Sequence, residues 1–238
     1  MLLKEIYSEY DYNIEITGVQ TDSRFVKPGN LFLPIRGKNF EGDEFFIDAI
    51  TKGAVAIVYD KAIHNLTIPV IIVDNLEKEL FRLIDLIYEK PYNELTMIGI
   101  TGTDGKTSVS TLTSYLLNHL SRCANIGTNG IIYDKEIIDN VFTTPILTQN
   151  YSLLREFSNL GISYVSMEVS SQGIANKRIE GILYDYAIFT NLSHEHLDTH
   201  KTMHNYFLTK LKLFKQLKKQ GIMIVNNCLL YTSPSPRD

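Results

Sequence analysis

The residues of this chain best suited to chemistry lie in a short glycine-rich segment, residues 102–108. The segment follows an apolar run at 97–100 and precedes a stretch with apolar residues at Val109, Leu112, Leu116, Leu117 and Leu120. This order predicts a strand, a glycine loop and an amphipathic helix. Such a loop lets backbone N–H groups surround a phosphate, and the helix start adds the positive end of its dipole. We therefore expect residues 102–108 to bind a phosphate group, with Lys106 reaching the outer phosphates and the Thr107 hydroxyl holding Mg²⁺.

The spacing of this loop differs from that of the general phosphate loop. The general pattern has a glycine five residues before Gly105, and that position is Ile100. The segment Gly102-Thr103-Asp104-Gly105-Lys106-Thr107-Ser108 is therefore a compact Gly-x-x-Gly-Lys-Thr variant. The alternative is a glycine turn before a surface helix, which the strand and helix on either side disfavour.

A second group of polar residues follows two predicted strands. Glu168 ends the apolar segment 164–169, and residues 191–198 follow the strand predicted at 185–190. Because the carboxyl ends of parallel strands meet at one edge of a sheet, Glu168 and an imidazole could converge near the phosphate loop and bind Mg²⁺ or Mn²⁺. A structural ion pair would equally explain Glu168, since a buried lone charge is costly. The cluster His194, His196, His200 and His204 also allows a zinc site, a surface loop or helix caps.

One lysine cannot be assigned a role from pattern alone. Lys210 lies on a helix predicted at 203–218, whose apolar stripe is Phe207, Leu211 and Phe214. Further lysines follow at 212, 215, 218 and 219, so a solvated basic face is the simplest interpretation of any one of them.

The pattern of elements predicts an α/β protein with two domains. Residues 1–90 form a small mixed α/β domain, with strands at 55–58 and 70–73 and helices at 45–51 and 76–88. A boundary near Pro91 precedes alternating strands and helices, which predict a second domain over 91–227 with a mostly parallel sheet. The family resemblance described below implies that this domain binds ATP. Its further predicted elements are strands at 97–101, 164–169, 185–190 and 222–225 and helices at 107–120 and 151–160. Residues 228–238 resemble translated vector sequence, so we expect a non-native tail and a central domain that is incomplete.

Composition excludes several functional classes. The 238 residues are 44% hydrophobic and 21% charged, as in ordinary globular domains, and the net charge of −4 argues against a nucleic-acid partner. No apolar run is long enough to insert into a membrane, and the N-terminus lacks the features of a signal peptide. Two cysteines give no disulfide framework. These features predict a cytoplasmic protein, which we expect to be a monomer.

Five motifs in order resemble those of the Mur ligases. They are the phosphate loop, residues 167–171 (Met-Glu-Val-Ser-Ser), 189–192 with 196–198, 206–210 (Tyr-Phe-Leu-Thr-Lys), and an N-terminal group at 21–24, 27–32 and 40–42. The resemblance covers roughly residues 14–226. It implies an ATP-dependent ligase of peptidoglycan synthesis that forms an amide bond through an acyl phosphate. Residues 168–171 and 143–145 favour the member that adds meso-diaminopimelate or L-lysine to UDP-N-acetylmuramoyl-L-alanyl-D-glutamate.

The resemblance also implies roles for individual residues. Lys106, Glu168, His196 and Lys210 would be catalytic, with Lys210 carried as a carbamate, which turns a cation into a metal ligand. Residues 102–108 would bind ATP, and Thr107, Glu168, His196 and Lys210 would surround Mg²⁺. Thr21, Ser23, Lys38 and Asn39 would contact the uridine end of the substrate. The remainder of the UDP-linked dipeptide would be held by Thr143, Thr144, Ser170, Asn176 and Arg178.

The chain departs from the family pattern at several places. Asp104 and Phe142 stand where asparagine is expected, Gln172 replaces a histidine, and Asn176 replaces a glutamine. The family's third domain, which binds the amino acid, is expected to be absent, so this chain alone should not ligate. Alternatives are the related ligase that adds D-alanyl-D-alanine, a folylpolyglutamate or cyanophycin synthetase, and a non-catalytic nucleotide-binding module.

Overall fold

The computed structural model describes residues 1–35, 42–195 and 197–226. By its internal contacts the chain divides into two compact units, one ending at Lys90 and the other beginning at Pro91.

The first unit is built on a parallel sheet of four short strands in the order β1-β2-β3-β4. The strands are β1 (Gly18–Gln20), β2 (Asn30–Phe32), β3 (Ala56–Tyr59) and β4 (Val70–Ile72). The helices are α1 (Leu3–Ile6), α2 (Phe46–Thr51) and α3 (Leu76–Tyr88). Phe46 packs edge-on against Tyr59 in the core, with ring centroids 5.2 Å apart. Helix α3 has the predicted bounds because Asn75 caps it, accepting a hydrogen bond from the Lys78 amide at 2.8 Å.

The second unit contains a seven-stranded sheet in the order β11-β10-β5-β9-β6-β7-β8. Its strands are β5 (Thr96–Thr101), β6 (Cys123–Gly127), β7 (Gly130–Tyr133), β8 (Glu136–Ile138), β9 (Tyr164–Glu168), β10 (Tyr184–Phe189) and β11 (Leu217–Val225). The five strands from β11 to β6 are parallel, and β7 and β8 are antiparallel. The prediction of a mostly parallel α/β sheet is confirmed, although β6, β7 and β8 were not predicted.

The helices of this unit are α4 (Lys106–Leu117), α5 (Leu147–Asn159), α6 (Ser171–Ala175), α7 (Leu197–His200) and α8 (Met203–Leu211). The predicted helix at 203–218 is too long, because a 3₁₀ turn at Lys212–Gln216 follows α8 and β11 then begins. In place of the predicted end of the helix, the chain forms β11, which pairs with β10. The Lys218 ammonium of β11 donates to Asp185 of β10 at 2.8 Å and to the Leu95 carbonyl at 3.1 Å. Among the described helices, none combines the length and the apolar character required to cross a bilayer.

Helix α4 packs on the sheet with a different face from the one that its apolar pattern predicts. Its fully buried positions are Ser110 and Ser114. The apolar residues that are exposed here are Leu112, Leu116 and Leu120. The Ser166 hydroxyl of β9 donates to the Ser110 carbonyl at 3.0 Å, so helix and sheet approach closely. At that distance only small side chains fit between them, so Leu112 and Leu116 are turned outward, while Val109 and Leu117 are partly buried.

Candidate active site

The glycine loop lies between β5 and α4, as predicted. Lys106 folds back over the loop, and its ammonium donates to the carbonyls of Gly102 at 3.0 Å and Thr103 at 2.6 Å. Burial lowers the pKa of Lys106. The loop thus holds a partly buried cation at the start of a helix, an arrangement that suits an anionic ligand.

The segment after β10 holds this loop in place. Asn191 accepts from the Asp104 amide at 2.8 Å and donates to the Asp104 carbonyl at 3.1 Å, and the Thr190 hydroxyl donates to the same carbonyl at 2.6 Å. The Ser193 amide donates to the Thr103 hydroxyl at 3.0 Å. A β-carbon at Gly102 would collide with the Thr190 hydroxyl, so this close approach requires glycine.

Glu168 is the centre of a second hydrogen-bonded group. Its carboxylate is 1% exposed at the end of β9. It accepts from the Thr107 hydroxyl at 2.9 Å, the Thr128 amide at 2.9 Å and the Thr128 hydroxyl at 3.3 Å. Within the described ranges Glu168 forms no ion pair, so its partners are neutral donors and the structural ion pair is not observed.

Gly127 makes this group possible, and a substitution there should be strongly destabilising. A β-carbon at position 127 would collide with the Glu168 carboxylate. We expect Gly127→Ala to lower the free energy of unfolding by about 1–3 kcal/mol, the usual cost of an overpacked core. Denaturant unfolding of the wild type and the variant measures this. In a Glu168→Ala background the same change should cost clearly less, and equal costs in both backgrounds would show that the collision is not the cause.

Thr143, Thr144 and Ser170 continue the network away from Glu168. The Thr144 hydroxyl donates to the Glu168 carbonyl at 2.9 Å and accepts from the Ser170 amide at 3.0 Å. The Thr143 and Thr128 hydroxyls are 3.1 Å apart. The Ser170 hydroxyl caps α6 by accepting from the Gly173 amide at 3.0 Å. Thr143 and Thr144 are therefore linked directly to the Glu168 group, and Ser170 is linked to it through Thr144.

Arg178 joins the same cluster. Its guanidinium donates to the Thr144 carbonyl at 3.0 Å and lies 4.0 Å from the centre of the Phe142 ring. Burial lowers the pKa of Arg178. Asn176 is exposed at the end of α6.

Lys210 is wholly buried, so the interpretation as a solvated surface lysine is wrong. Its ammonium donates to the Gly102 carbonyl at 2.6 Å and lies 4.4 Å from the centre of the Tyr206 ring. Burial, and then the charge of Lys106, lower the pKa of Lys210 to about 7. The structure thus places at the phosphate loop an amine that is half neutral near pH 7.

The remaining predicted residues lie in the first unit or outside the described ranges. Ser23 is 4% exposed, and its hydroxyl contacts the Asp48 carboxylate of α2. Thr21 is partly exposed after β1. Lys38, Asn39 and His196 lie outside the described residues, as does the predicted tail at 228–238.

Several residues of the site were not assigned roles from sequence. They are Thr128, Thr190, Asn191, Ser193 and Tyr206. Thr128 directly follows β6, the neighbour of β9, so its place at the end of a parallel strand was the available signal. The β6 strand itself was not predicted, however. Tyr206 is fully buried beside Lys210, and its hydroxyl donates to the Thr103 hydroxyl at 3.3 Å.

The donor set beside the loop suits a hard divalent cation. The Thr107 hydroxyl and the Glu168 carboxylate are oxygen ligands of the kind Mg²⁺ prefers. Lys210 in its ammonium form carries the wrong charge for such a site, and it would become an oxygen ligand only after conversion to a carbamate. Among the described residues, no group of three or more His, Cys, Asp and Glu side chains could hold a metal.

The fold and the site together define a parallel α/β protein with a phosphate-binding loop beside a buried carboxylate. Comparison with known proteins identifies the family within this class. Residues 100–232 match the Mur ligase middle domain, and residues 15–84 match a second domain described as "Mur ligase family, catalytic domain". The chain therefore belongs to the Mur ligase family.

Curated relatives agree with this assignment. The chain is 37% identical to the UDP-N-acetylmuramoyl-L-alanyl-D-glutamate–2,6-diaminopimelate ligase of Caldanaerobacter subterraneus subsp. tengcongensis, over 90% of this chain and 45% of the relative. It is 40% identical to UDP-N-acetylmuramyl-tripeptide synthetase 2 of Oceanobacillus iheyensis, over 89% of this chain and 44% of the relative. The chain thus spans about half the length of the curated relatives it matches.

Solved structures share the fold. A UDP-N-acetylmuramoyl-L-alanyl-D-glutamate–2,6-diaminopimelate ligase superposes with a TM-score of 0.70 at 24% identity, over 98% of this chain and 50% of that one. The MurF ligase of Thermotoga maritima in complex with ADP gives a TM-score of 0.61 at 22% identity, over 92% and 48% of the two chains.

Proposed function

We propose that this chain carries the ATP-binding and UDP-substrate-binding parts of a ligase that adds the third amino acid, meso-diaminopimelate or L-lysine, to UDP-N-acetylmuramoyl-L-alanyl-D-glutamate. One observation carries the proposal. Hydrogen bonds link neighbouring residues from Thr107 to Arg178: the Thr107 hydroxyl donates to the Glu168 carboxylate, the Thr144 hydroxyl to the Glu168 carbonyl, and Arg178 to the Thr144 carbonyl. Groups suited to a nucleotide and groups suited to an anionic second substrate are thereby joined in one network. The names of the curated relatives support the same substrates.

The chemistry requires a carboxylate to be activated before an amine can attack it. The substrate carboxylate displaces ADP from the γ-phosphorus of ATP and becomes an acyl phosphate. The amine of the incoming amino acid then attacks the acyl carbon, an amide bond forms, inorganic phosphate leaves with the C–O bonding electrons, and the amine nitrogen releases one proton to solvent. Catalysis of such transfers depends mainly on positioning and on neutralising charge.

We assign the nucleotide end of the site to the loop at 102–108. Lys106 would exchange its carbonyl partners for the outer phosphates of ATP. Thr107, Glu168, His196 and a carbamylated Lys210 would hold Mg²⁺, which when bound neutralises phosphate charge during transfer. The pKa of Lys210, about 7, supports carbamylation because only the neutral amine reacts with CO₂.

We assign the UDP-linked substrate to two places. Thr143, Thr144, Ser170, Asn176 and Arg178 would hold the muramoyl dipeptide, with Arg178 facing an anionic group. Thr21, Ser23, Lys38 and Asn39 would contact the uridine end, and Ser23 lies in the loop that follows β1. Because ATP and UDP-linked sugars are intracellular, we place the reaction in the cytoplasm, and we expect the protein to act there as a monomer.

The binding of the UDP-linked substrate tests this proposal through Arg178. We expect Arg178→Ala to weaken binding of UDP-N-acetylmuramoyl-L-alanyl-D-glutamate by at least about tenfold, since a charge-assisted hydrogen bond contributes about 1.5–3 kcal/mol. Isothermal titration calorimetry of the 238-residue chain measures the Kd. Arg122→Ala is the matched control, because Arg122 pairs with Asp134 on the surface of the same unit at 2.6 Å.

Three ligands separate the candidate functions. The proposal expects the UDP-linked dipeptide to bind more tightly than UDP-N-acetylglucosamine. Equal affinity for these two would contradict a muramoyl-dipeptide site. Tighter binding of the UDP-linked tripeptide than of the dipeptide would instead favour the ligase that adds D-alanyl-D-alanine.

A further inference from the structure

Arg178 is held on two sides, and its guanidinium has no acidic partner among the residues that the structure describes. Its Nη1 donates to the Thr144 carbonyl at 3.0 Å, and the guanidinium carbon lies 4.0 Å from the centre of the Phe142 ring. In the described part of the chain no carboxylate pairs with Arg178, and its pKa is lowered by burial alone. A guanidinium has five N–H donors, so several remain for a ligand.

Phe142 is well placed to set the plane of this guanidinium. It lies in the segment between β8 and α5 and directly precedes Thr143 and Thr144, so ring and carbonyl partner come from one short stretch of chain. The face of an aromatic ring attracts a cation, and a planar guanidinium can stack on it. The ring has no hydrogen-bonding group of its own, so its effect on a polar ligand must pass through a neighbour.

We propose that Phe142 is a positioning residue that orients Arg178 for binding an oxyanion, a carboxylate or a phosphate, of the UDP-linked substrate. The inference rests on the proposed function and goes beyond it. The ring and the Thr144 carbonyl hold the guanidinium from two sides before any ligand binds. Holding a long side chain in its bound conformation saves the entropy otherwise lost on binding.

The test is a double-mutant cycle on the 238-residue chain. We expect Phe142→Leu, which keeps an apolar side chain but removes the ring, to raise the Kd of UDP-N-acetylmuramoyl-L-alanyl-D-glutamate about fivefold. Phe142→Met, which also lacks a ring and hydrogen-bond donors, should do the same and serves if the leucine variant does not fold. Phe142→Tyr keeps the ring and should bind within about twofold of the wild type. In an Arg178→Ala background, Phe142→Leu should have no further effect.

A second readout separates positioning from a general loss of structure. In ¹⁵N NMR spectra of the free protein, the Arg178 Nε–H signal should shift and exchange faster in Phe142→Leu but not in Phe142→Tyr. The Kd for Mg-ATP should be unchanged in all Phe142 variants. If Phe142→Leu weakens the binding of UDP-N-acetylmuramoyl-L-alanyl-D-glutamate but not of UDP, the oxyanion bound by Arg178 is a carboxylate of the dipeptide. If it weakens the binding of both ligands, the oxyanion belongs to the diphosphate.

The outcomes distinguish the two proposals. If Arg178→Ala weakens binding and Phe142→Leu does not, the inference about Phe142 is wrong and the proposed function stands. If Phe142→Leu still weakens binding in the Arg178→Ala background, the ring acts on the ligand directly and the inference is overturned. If Arg178→Ala itself leaves the Kd unchanged, the substrate assignment fails, and the role of Phe142 fails with it.

Discussion

Lys106→Ala should abolish nucleotide binding or weaken it by at least about tenfold, which corresponds to about 1.4 kcal/mol. The Lys106 ammonium lies over the loop, 3.0 Å from the Gly102 carbonyl and 2.6 Å from the Thr103 carbonyl. In the proposed complex it would pair with the outer phosphates, and alanine offers neither charge nor donor. Calorimetric titration of the 238-residue chain with Mg-ATP and Mg-ADP measures the change.

A matched control separates this effect from a loss of surface charge. Lys135 is exposed in the turn between β7 and β8 of the same unit, and Lys135→Ala should bind ATP as the wild type does. Circular dichroism should show that both variants are folded. Equal ATP affinity in Lys106→Ala and the wild type would contradict the assignment of residues 102–108 as a phosphate loop.

Lys210→Met should stabilise the protein, and by more at low pH than at high pH. The pKa of Lys210 is about 7 in the folded chain, against an ordinary value of 10.5. Between these values the unfolded state binds more protons than the folded state, so wild-type stability rises with pH. The cost of burying the cation is therefore complete below pH 7 and disappears as the pH rises toward 10.5. The total difference is roughly 3–5 kcal/mol.

Urea unfolding of metal-free wild type and variant at pH 6, 7, 8 and 9 tests this expectation. The quantity of interest is the difference in the free energy of unfolding between the two proteins, because other titrating groups cancel in it. Lys212→Met is the control, since Lys212 directly follows α8 and is not buried. A pH-independent difference for Lys210→Met would show that this amine is not titrating in the predicted range.

The same amine should react with CO₂ once it is neutral. In ¹³C-bicarbonate at pH 8, we expect the NMR spectrum of the wild type to contain a carbamate signal that is missing from the spectrum of Lys210→Arg, in addition to any signal from the N-terminal amine that both proteins share. About ten neutral amines would be present for each cation one pH unit above the pKa, whereas an unshifted lysine would be almost wholly protonated. Absence of the signal from the wild type under these conditions would remove Lys210 from the proposed metal ligands.

Local patterns accounted for much of the fold and the core of the site. The glycine loop was predictable because the phosphate-loop motif consists of a strand, a turn and a helix start in immediate succession, and all three can be recognised within about twenty residues. Glu168 was predictable because a carboxylate at the end of an apolar strand is costly to bury unless a partner or a ligand compensates its charge. Helix α3 was predicted at its observed bounds because its cap and its period are both local.

Interactions between distant segments could not be predicted in this way. The β6–β7–β8 region depends on pairing with β9, across about 40 residues of chain, and its short strands carry weak local signals. The outward leucines of α4 contradict the helical pattern, because close packing on Ser166 decides which face fits against the sheet. Lys218 lies in a strand and not in the predicted helix, and there its ammonium pairs with Asp185 of the neighbouring strand, a contact that no local pattern indicates.

The amino-acid sequence was sufficient to identify the residues that could do chemistry: the loop at 102–108, Glu168 and the five motifs that point to the Mur ligases. How these residues act together depends on the tertiary structure. It buries Lys210 against the Gly102 carbonyl, which brings the pKa of a lysine in a basic helix to about 7. It also places Thr128 on Glu168 and Phe142 on Arg178, because strand ends and loops far apart in the chain meet at one edge of the sheet. A side chain's type is written in the sequence, but its charge state and partners follow from what the fold packs around it.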